Sequence, residues 1–380
     1  MNLKLPLILL FLSPANMIGY VVQSLLLLFI ATRQVFIRGL TFDIFQLKTA
    51  FAWAFVCILS VLTGTTIGWD IDSKSYLLFA FVFMATLLSP FDIKVTQLST
   101  LLLFIAVLIL LSQVIMALPL GAINETLVGI YSSETQLSRQ FEVSAGFDQF
   151  SWVRFGGIFI NPNQCAKAYT FILGIYLATQ MQGRKSAWHI FLTCFVGLFL
   201  TGSRTGMAIA VAMLVLRYGF RFSRLIIFSP VLILMFSVAF ITNLRFVNIE
   251  TLILSFIEKN IVIIEYIYHI TDISKYALIF GTGDVSRIEY DFGLRLNSFD
   301  SELGYLLQGF GLMSIFIIPF FFWYSFKILR GFGYVFLLNL LWLFSSSILV
   351  NIRFCFLYLV SLSIIRATQA GIKIGQKLET

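Results

Sequence analysis

Charge is what this sequence has least of. Only 12% of its 380 residues are Asp, Glu, Lys or Arg, about half the share usual in a soluble domain. With 59% hydrophobic residues and a mean hydropathy of +0.95, that scarcity excludes an ordinary water-soluble fold. Histidine is rarer still: only His189 and His269 occur, too few ligands for a histidine-based metal site. The four cysteines, Cys57, Cys165, Cys194 and Cys355, fall in or beside apolar runs without metal-like spacing and read as small buried hydrophobes. No repeat, low-complexity tract or flexible linker divides the chain, which reads as one domain, 1–380. The net charge is +8, but the basic residues stand in twos and threes between apolar runs. That is the pattern of membrane topology, and it argues against nucleic acid as a partner.

What is present is a succession of apolar runs. They predict an all-α, polytopic integral membrane protein of about eleven (ten to twelve) transmembrane helices, each of about 20 residues, with membrane lipids as its surroundings. The expected spans are Leu5–Ala31, Phe45–Leu62, Ser75–Ser89, Leu98–Leu118, Gln164–Met181, Ser186–Leu200, Thr205–Leu216, Leu225–Ile241, Gly304–Phe326, Gly333–Val350 and Phe354–Ile365. Leu5–Leu12 followed by Ser13-Pro14-Ala15 resembles a secretory signal. The apolar run resumes at Met17, so Leu5–Ala31 reads as one kinked first span, or as an interfacial helix plus a span.

Orientation follows from the cations. With the loop after the first span on the cytoplasmic side, that side collects fourteen of the 26 basic residues and three of the 18 acidic ones. The positive-inside bias favours this arrangement. It counts Lys4 and Lys167 on the opposite face and puts two long loops there, 119–160 and 242–302. The second loop holds most of the acidic side chains, which must lie outside the hydrocarbon because a charge at mid-membrane costs about 2.5–3.5 kcal/mol. Within it, Glu258, Glu265 and Asp272 recur every seven residues on one helical face, as in a helix lying on the membrane surface.

Three places can carry chemistry. Arg154 opens Arg154-Phe-Gly-Gly-Ile-Phe-Ile-Asn161-Pro162-Asn163, whose glycines, proline and asparagines suit a broken helix lining a polar cavity. Lys167 follows about one and a half turns on, where it either snorkels to the interface or binds an anion. Gly202-Ser203-Arg204-Thr205-Gly206 joins two apolar runs with almost no connecting length. Its arginine is either a membrane-edge anchor or a guanidinium fork held for a phosphate. The second loop ends on Gly281-Thr-Gly283-Asp284, then Arg287, Arg295 and Asp300 before a span. Asp300 reads as a helix cap or as a general base, with the arginines holding an anionic leaving group.

From Phe141 to the C-terminus, these residues in this order resemble the O-antigen polymerase and O-antigen ligase superfamily: Arg154 with Gly157 and Asn161-Pro-Asn163, then the Arg204 turn, then the long loop ending in Asp300-Ser301 with Gly311 beyond. The resemblance implies glycosyl transfer from an undecaprenyl-diphosphate-linked oligosaccharide at the periplasmic face of a bacterial inner membrane. It implies no nucleotide sugar, metal or other cofactor, and a chain-length regulator and a flippase as further partners. Ligases of the superfamily have a histidine where Asp300 stands, so the departure points to a polymerase. On the residues themselves, Asp300, Arg204 and Arg154 are expected in catalysis, and Arg287, Arg295, Lys167, Asn161 and Asn163 in substrate and diphosphate binding. A ligase acting on lipid A-core, and a transporter of lipid-linked oligosaccharide, are the rival readings.

Overall fold

The computed structural model describes residues 4–13, 19, 21–23, 25–26, 29, 32, 44–69, 95, 97–117, 122–123, 126, 130, 155–159, 161–180, 188–219, 249–284, 290–291, 296–297, 302–329, 331–344 and 351–378. Among them the chain is helical apart from one short antiparallel pairing, Tyr290–Asp291 with Leu296–Asn297. In chain order the α-helices are α1 Lys4–Leu12, α2 Ile44–Thr66, α3 Leu98–Ala117, α4 Pro162–Thr179, α5 Trp188–Thr201, α6 Arg204–Tyr218, α7 Ile249–Ile273, α8 Lys275–Phe280, α9 Glu302–Phe310, α10 Ser314–Ile328 and α11 Ile352–Leu378. Three 3-10 segments, Gly157–Phe159, Gly311–Met313 and Gly331–Phe344, complete them.

α4 is the centre of the bundle. Asn161 caps it by accepting from Asn163 N at 2.9 Å, Pro162 takes the first helical position, and every side chain from Cys165 to Ala178 is buried. A helix apolar on all sides needs neighbours on all sides, and α3, α5, α6, α11 and Gly331–Phe344 supply them. α6 and α11 run parallel to α4. Gly206 sits against Ala166, Gly174 against Met213, and Phe171 meets both Phe354 and Tyr358 at 6.0 Å. α3, α5 and the 3-10 segment run the other way: Tyr169 packs on Gly197, and Trp342 Nε1 donates to Thr170 Oγ1 at 3.0 Å.

The far end of α4 is closed by a cation. Arg217 donates from Nε to Leu177 O (3.1 Å) and from Nη2 to Gln180 O (2.9 Å), and its guanidinium lies 3.7 Å from the Phe332 centroid. It satisfies carbonyls a helix end leaves over and complements the dipole there. Arg217→Ala is expected to cost about 2–4 kcal/mol, since two charge-assisted bonds to buried carbonyls go together. The thermal midpoint of the purified protein reads the loss, and an unchanged midpoint would contradict it.

A second, smaller cluster joins Val262, Tyr266 and Ile270 of α7 to Ala277 of α8, Leu307 of α9 and Trp69 beyond α2. Leu303–Ile317 is bent by 48° from Pro319–Ile328, at a proline that lacks the N–H and crowds the preceding turn. Before the bend, the carbonyls of Gln308 and Gly309 leave the helical pattern. Thr282 N and Oγ1 donate to the first (2.8 and 3.0 Å) and Gly283 N to the second (3.0 Å). The Gly281-Thr-Gly283 turn is therefore packed into a discontinuous helix.

The helices correct or refine several expectations. Of the two readings of Leu5–Ala31, the single kinked span does not hold: Gln23 Nε2 donates to Ser13 Oγ at 2.8 Å, whereas ten residues of helix would hold them about 15 Å apart. The chain doubles back instead, after a helix that stops before Pro14. Lys4 bonds Gln97 Oε1 at 2.7 Å, at the start of α3. It lies at the end of the bundle where α4 finishes, opposite the end to which the charge count assigned it. By length and composition, one helix among the described residues, Leu98–Ile115, can cross a membrane alone, and the bent pair Leu303–Ile317 and Pro319–Ile328 would make a second. The expected spans Ser75–Ser89 and Leu225–Ile241 lie outside the described residues.

Candidate functional site

The parallel course of α4, α6 and α11 brings three helix N-termini to one end. Each is capped by a short polar side chain: Asn161, Ser203 (Oγ accepting from Gly206 N, 3.3 Å) and Asn351 (Oδ1 accepting from Phe354 N, 3.3 Å). Such ends favour anions, and three cations stand there.

Arg204 is the first residue of α6. α5 ends at Thr201, Gly202 turns the chain with φ +59°, and Gly202 N bonds Phe199 O at 2.9 Å. A Cβ on Gly206 would come within 3.0 Å of Ala166 Cβ, so α6 starts hard against α4. Arg204 is half-buried, with Nε shielded from solvent. The tight turn expected from Gly202–Gly206 is what the chain forms.

Lys167 lies deeper. It does not snorkel: the side chain is 0% exposed, and Nζ lies 4.8 Å from the Phe354 centroid and 6.0 Å from that of Trp342. Beside it is a residue that the sequence reading passed over as a topology charge. Arg353 is 1% exposed, with Cζ 4.1 Å from the Phe159 centroid and 6.0 Å from that of Phe354, and Nη2 donates to Phe11 O. Its only sequence signal was its place between two apolar runs at the same predicted face as Arg204.

Asn161 spends its side-chain oxygen on the cap, while Asn163, in the first turn, is half-buried. The stretch after Arg154 forms a 3-10 turn, Gly157–Phe159, ahead of α4, and polar groups of α3 hold it. Gln113 Nε2 donates to Phe155 O (2.8 Å) and Gly197 O (3.2 Å), Tyr169 OH donates to Gln113 Oε1 (2.7 Å), and Ile158 N donates to Ser112 Oγ (3.2 Å). Gly157, at φ +55°, leaves the room Ser112 occupies. Gln113→Leu is expected to cost about 2–5 kcal/mol by leaving buried partners unsatisfied, and Tyr169→Phe about 1 kcal/mol with little added in the double variant. Thermal unfolding of the three variants measures this, and full additivity would mean the two side chains act separately.

Asp284 lies elsewhere, in the second cluster, and is 1% exposed. Burial first, then the Asp284 charge, pushes the Tyr266 phenol up, so Tyr266 stays a neutral hydroxyl. Arg154, Arg287, Arg295 and Asp300 lie outside the described residues. Among the described residues no three His, Cys, Asp or Glu side chains gather as metal ligands would. The fold thus puts Arg204, Lys167 and Arg353 at one end of the bundle, in the first two turns of three helices, and gives Asn161 a cap to hold. No protein-family model, curated protein or solved structure matches this chain.

Proposed function

We propose that this protein is a membrane-embedded polysaccharide polymerase, joining oligosaccharide repeat units carried on undecaprenyl diphosphate at the periplasmic face of a bacterial inner membrane. The observation that carries the reading is that Arg204, Lys167 and Arg353 all lie in the first two turns of α6, α4 and α11, at the end where these helices begin and which the charge bias assigns to the outside. Membrane embedding is supported by the outward faces of the helices. Phe51, Phe55, Ile58 and Leu62 of α2 are 54–70% exposed, and Phe104, Val107, Leu111 and Val114 of α3 form a similar stripe. Stripes of that size on a soluble surface would be sticky; lipid covers them. Gly331–Phe344, wound as a 3-10 helix, reaches about 28 Å at about 2.0 Å per residue, close to the thickness of a bilayer core. The eleven-span topology belongs to this proposal.

In the reaction, a hydroxyl of one lipid-linked unit attacks the anomeric carbon of the growing chain. The new C–O bond forms as the bond to the diphosphate oxygen breaks, with inversion. The hydroxyl proton passes to a carboxylate, for which Asp300 is the candidate. Arg204 and Arg154, with Arg287 and Arg295 as further candidates, take up the charge on the departing diphosphate, as fixed donors do for any developing anion. Because the diphosphate leaves readily, charge stabilisation and a base suffice.

A second reading has an observation of its own. Buried cations and a helix interrupted by a packed-in turn are features of transporters, so a carrier of lipid-linked oligosaccharide is the alternative. Surface polysaccharide from cells lacking the protein separates the two: single-unit caps are expected for a polymerase, and absence of any exported unit would favour the carrier.

A further inference from the structure

We propose that Gln113 is a positioning residue for the reaction: it fixes the main chain that presents Arg204 and anchors the chain that leads on from Arg154, so that Arg204 meets substrate already aimed. The reaction meant is the one proposed above; the main-chain geometry does not depend on it. Arg154 itself lies outside the described residues, and Phe155 is the residue that follows it. Because α3 runs against α4, its last two turns, where Gln113 sits, reach the end at which α4 and α6 begin.

The last carbonyls of a helix find no partner inside it. At the end of α5, Leu198 O accepts from Thr201 Oγ1 (2.6 Å) and Phe199 O from Gly202 N (2.9 Å), while Leu200 O accepts from another segment, from Phe155 N at 3.0 Å. Ser203 N then donates to Thr201 Oγ1 (3.2 Å), one residue before Arg204. Gln113 joins the two segments, since its Nε2 donates both to Phe155 O (2.8 Å) and to Gly197 O (3.2 Å). Carbonyls only accept, so the amide turns its nitrogen to them and its oxygen to Tyr169 OH, which donates at 2.7 Å. Gln113 is 0% exposed, in a helix whose 20 residues carry no charge. An amide there is costly unless it is paired, and here its oxygen and its nitrogen both are. A leucine would fill the space but hold neither segment. A donor stabilises developing charge only where it is aimed, and misplacement by about 1 Å can cost about a hundredfold in rate.

The test compares Gln113→Met, Tyr169→Phe and Arg217→Ala, the last as a control that loosens the far end of α4. Turnover and KM are measured on the purified full-length protein with its native undecaprenyl-diphosphate-linked repeat unit, per unit of monodisperse protein, and amide hydrogen exchange is followed by mass spectrometry without donor. Gln113→Met is expected to lower kcat about tenfold or more while KM changes by less than about threefold. It should also speed exchange in peptides 155–159 and 202–206 by about tenfold. In an Arg204→Ala background the same change should cost less than about twofold, because it acts through that arginine. Arg217→Ala should leave kcat, and exchange in both peptides, as in the parent. If Gln113→Met does not fold, Tyr169→Phe decides: it frees the amide to turn and should lower kcat about threefold. Parental kcat in the deciding variant, a loss that simply adds to that of Arg204→Ala, or an equal fall in Arg217→Ala would overturn the role. A folded parent that makes no ladder would remove the polymerase reading and leave this one to the exchange rates: faster exchange in both peptides upholds it, and parental exchange overturns it.

Discussion

An Arg204→Ala variant is expected to reach the membrane in normal amount and to polymerise at about one-hundredth of the parental rate or less. The size follows from what the side chain is asked to do. A fixed donor aimed at developing charge contributes about 10²–10³ in turnover when removed alone. Arg204 is fixed in that sense, as the first residue of α6, directly after Gly202 at φ +59° and the Ser203 cap. The fold should survive, because Ser203 and not Arg204 caps the helix, and alanine has the highest helix propensity. Lysine should rescue poorly, having no planar fork for a diphosphate. Ser203→Ala is the contrasting variant: about 1 kcal/mol of stability lost with the cap, and most of the rate kept. Polymer rate per unit of immunodetected membrane protein is the readout, and full-length polymer at parental rate from Arg204→Ala would remove this residue from the site.

Gly281→Val is expected to leave almost no folded protein. Gly281 has φ +78°, and a Cβ there would run into the backbone of Gly309 and Phe310. Gly311 faces the same crossing from the other side, at φ +56° against the carbonyl of Leu278. Neither strand can retreat without giving up the bonds from Thr282 and Gly283 to Gln308 O and Gly309 O. Backbone strain of about 1–3 kcal/mol then adds to a steric clash and to carbonyls stripped of donors, which places the variant in the rare class above about 4 kcal/mol. Gly68→Ala isolates the strain alone, since Gly68 has φ +72° and nothing within 4 Å of its missing Cβ; it should cost about 1–2 kcal/mol. Size-exclusion recovery and thermal midpoints compare them, and equal stability of the two variants would contradict the crossing.

Helix positions were legible because apolar runs in this composition have little else to become. The run read as 164–181 is α4 at Pro162–Thr179, and its start was visible in Asn161-Pro162, an N-cap followed by a residue pre-set for the first turn. The turn at Arg204 was legible for a similar local reason: Gly202 and Ser203 are the residues a helix end and a helix start call for. Long-range geometry was not legible. Nothing local says that the polar groups of Ser112 and Gln113, in a run without charges, hold the segment after Arg154. Nor does anything near Arg353 say that Lys167, 186 positions away, lies over the same Phe354 ring. The first helix left two readings open because its pattern records burial but not direction: a run interrupted by Pro14 looks the same whether the chain continues or doubles back.

The most direct test of the central claim is gel analysis of the products formed when the purified protein is mixed with its native undecaprenyl-diphosphate-linked repeat unit, with and without lipid A-core. A ladder from the donor alone, absent with Arg204→Ala, is the predicted result. Sugar moved only onto lipid A-core, or donor left unchanged by a folded protein, would contradict it, the first in favour of a ligase and the second in favour of a carrier.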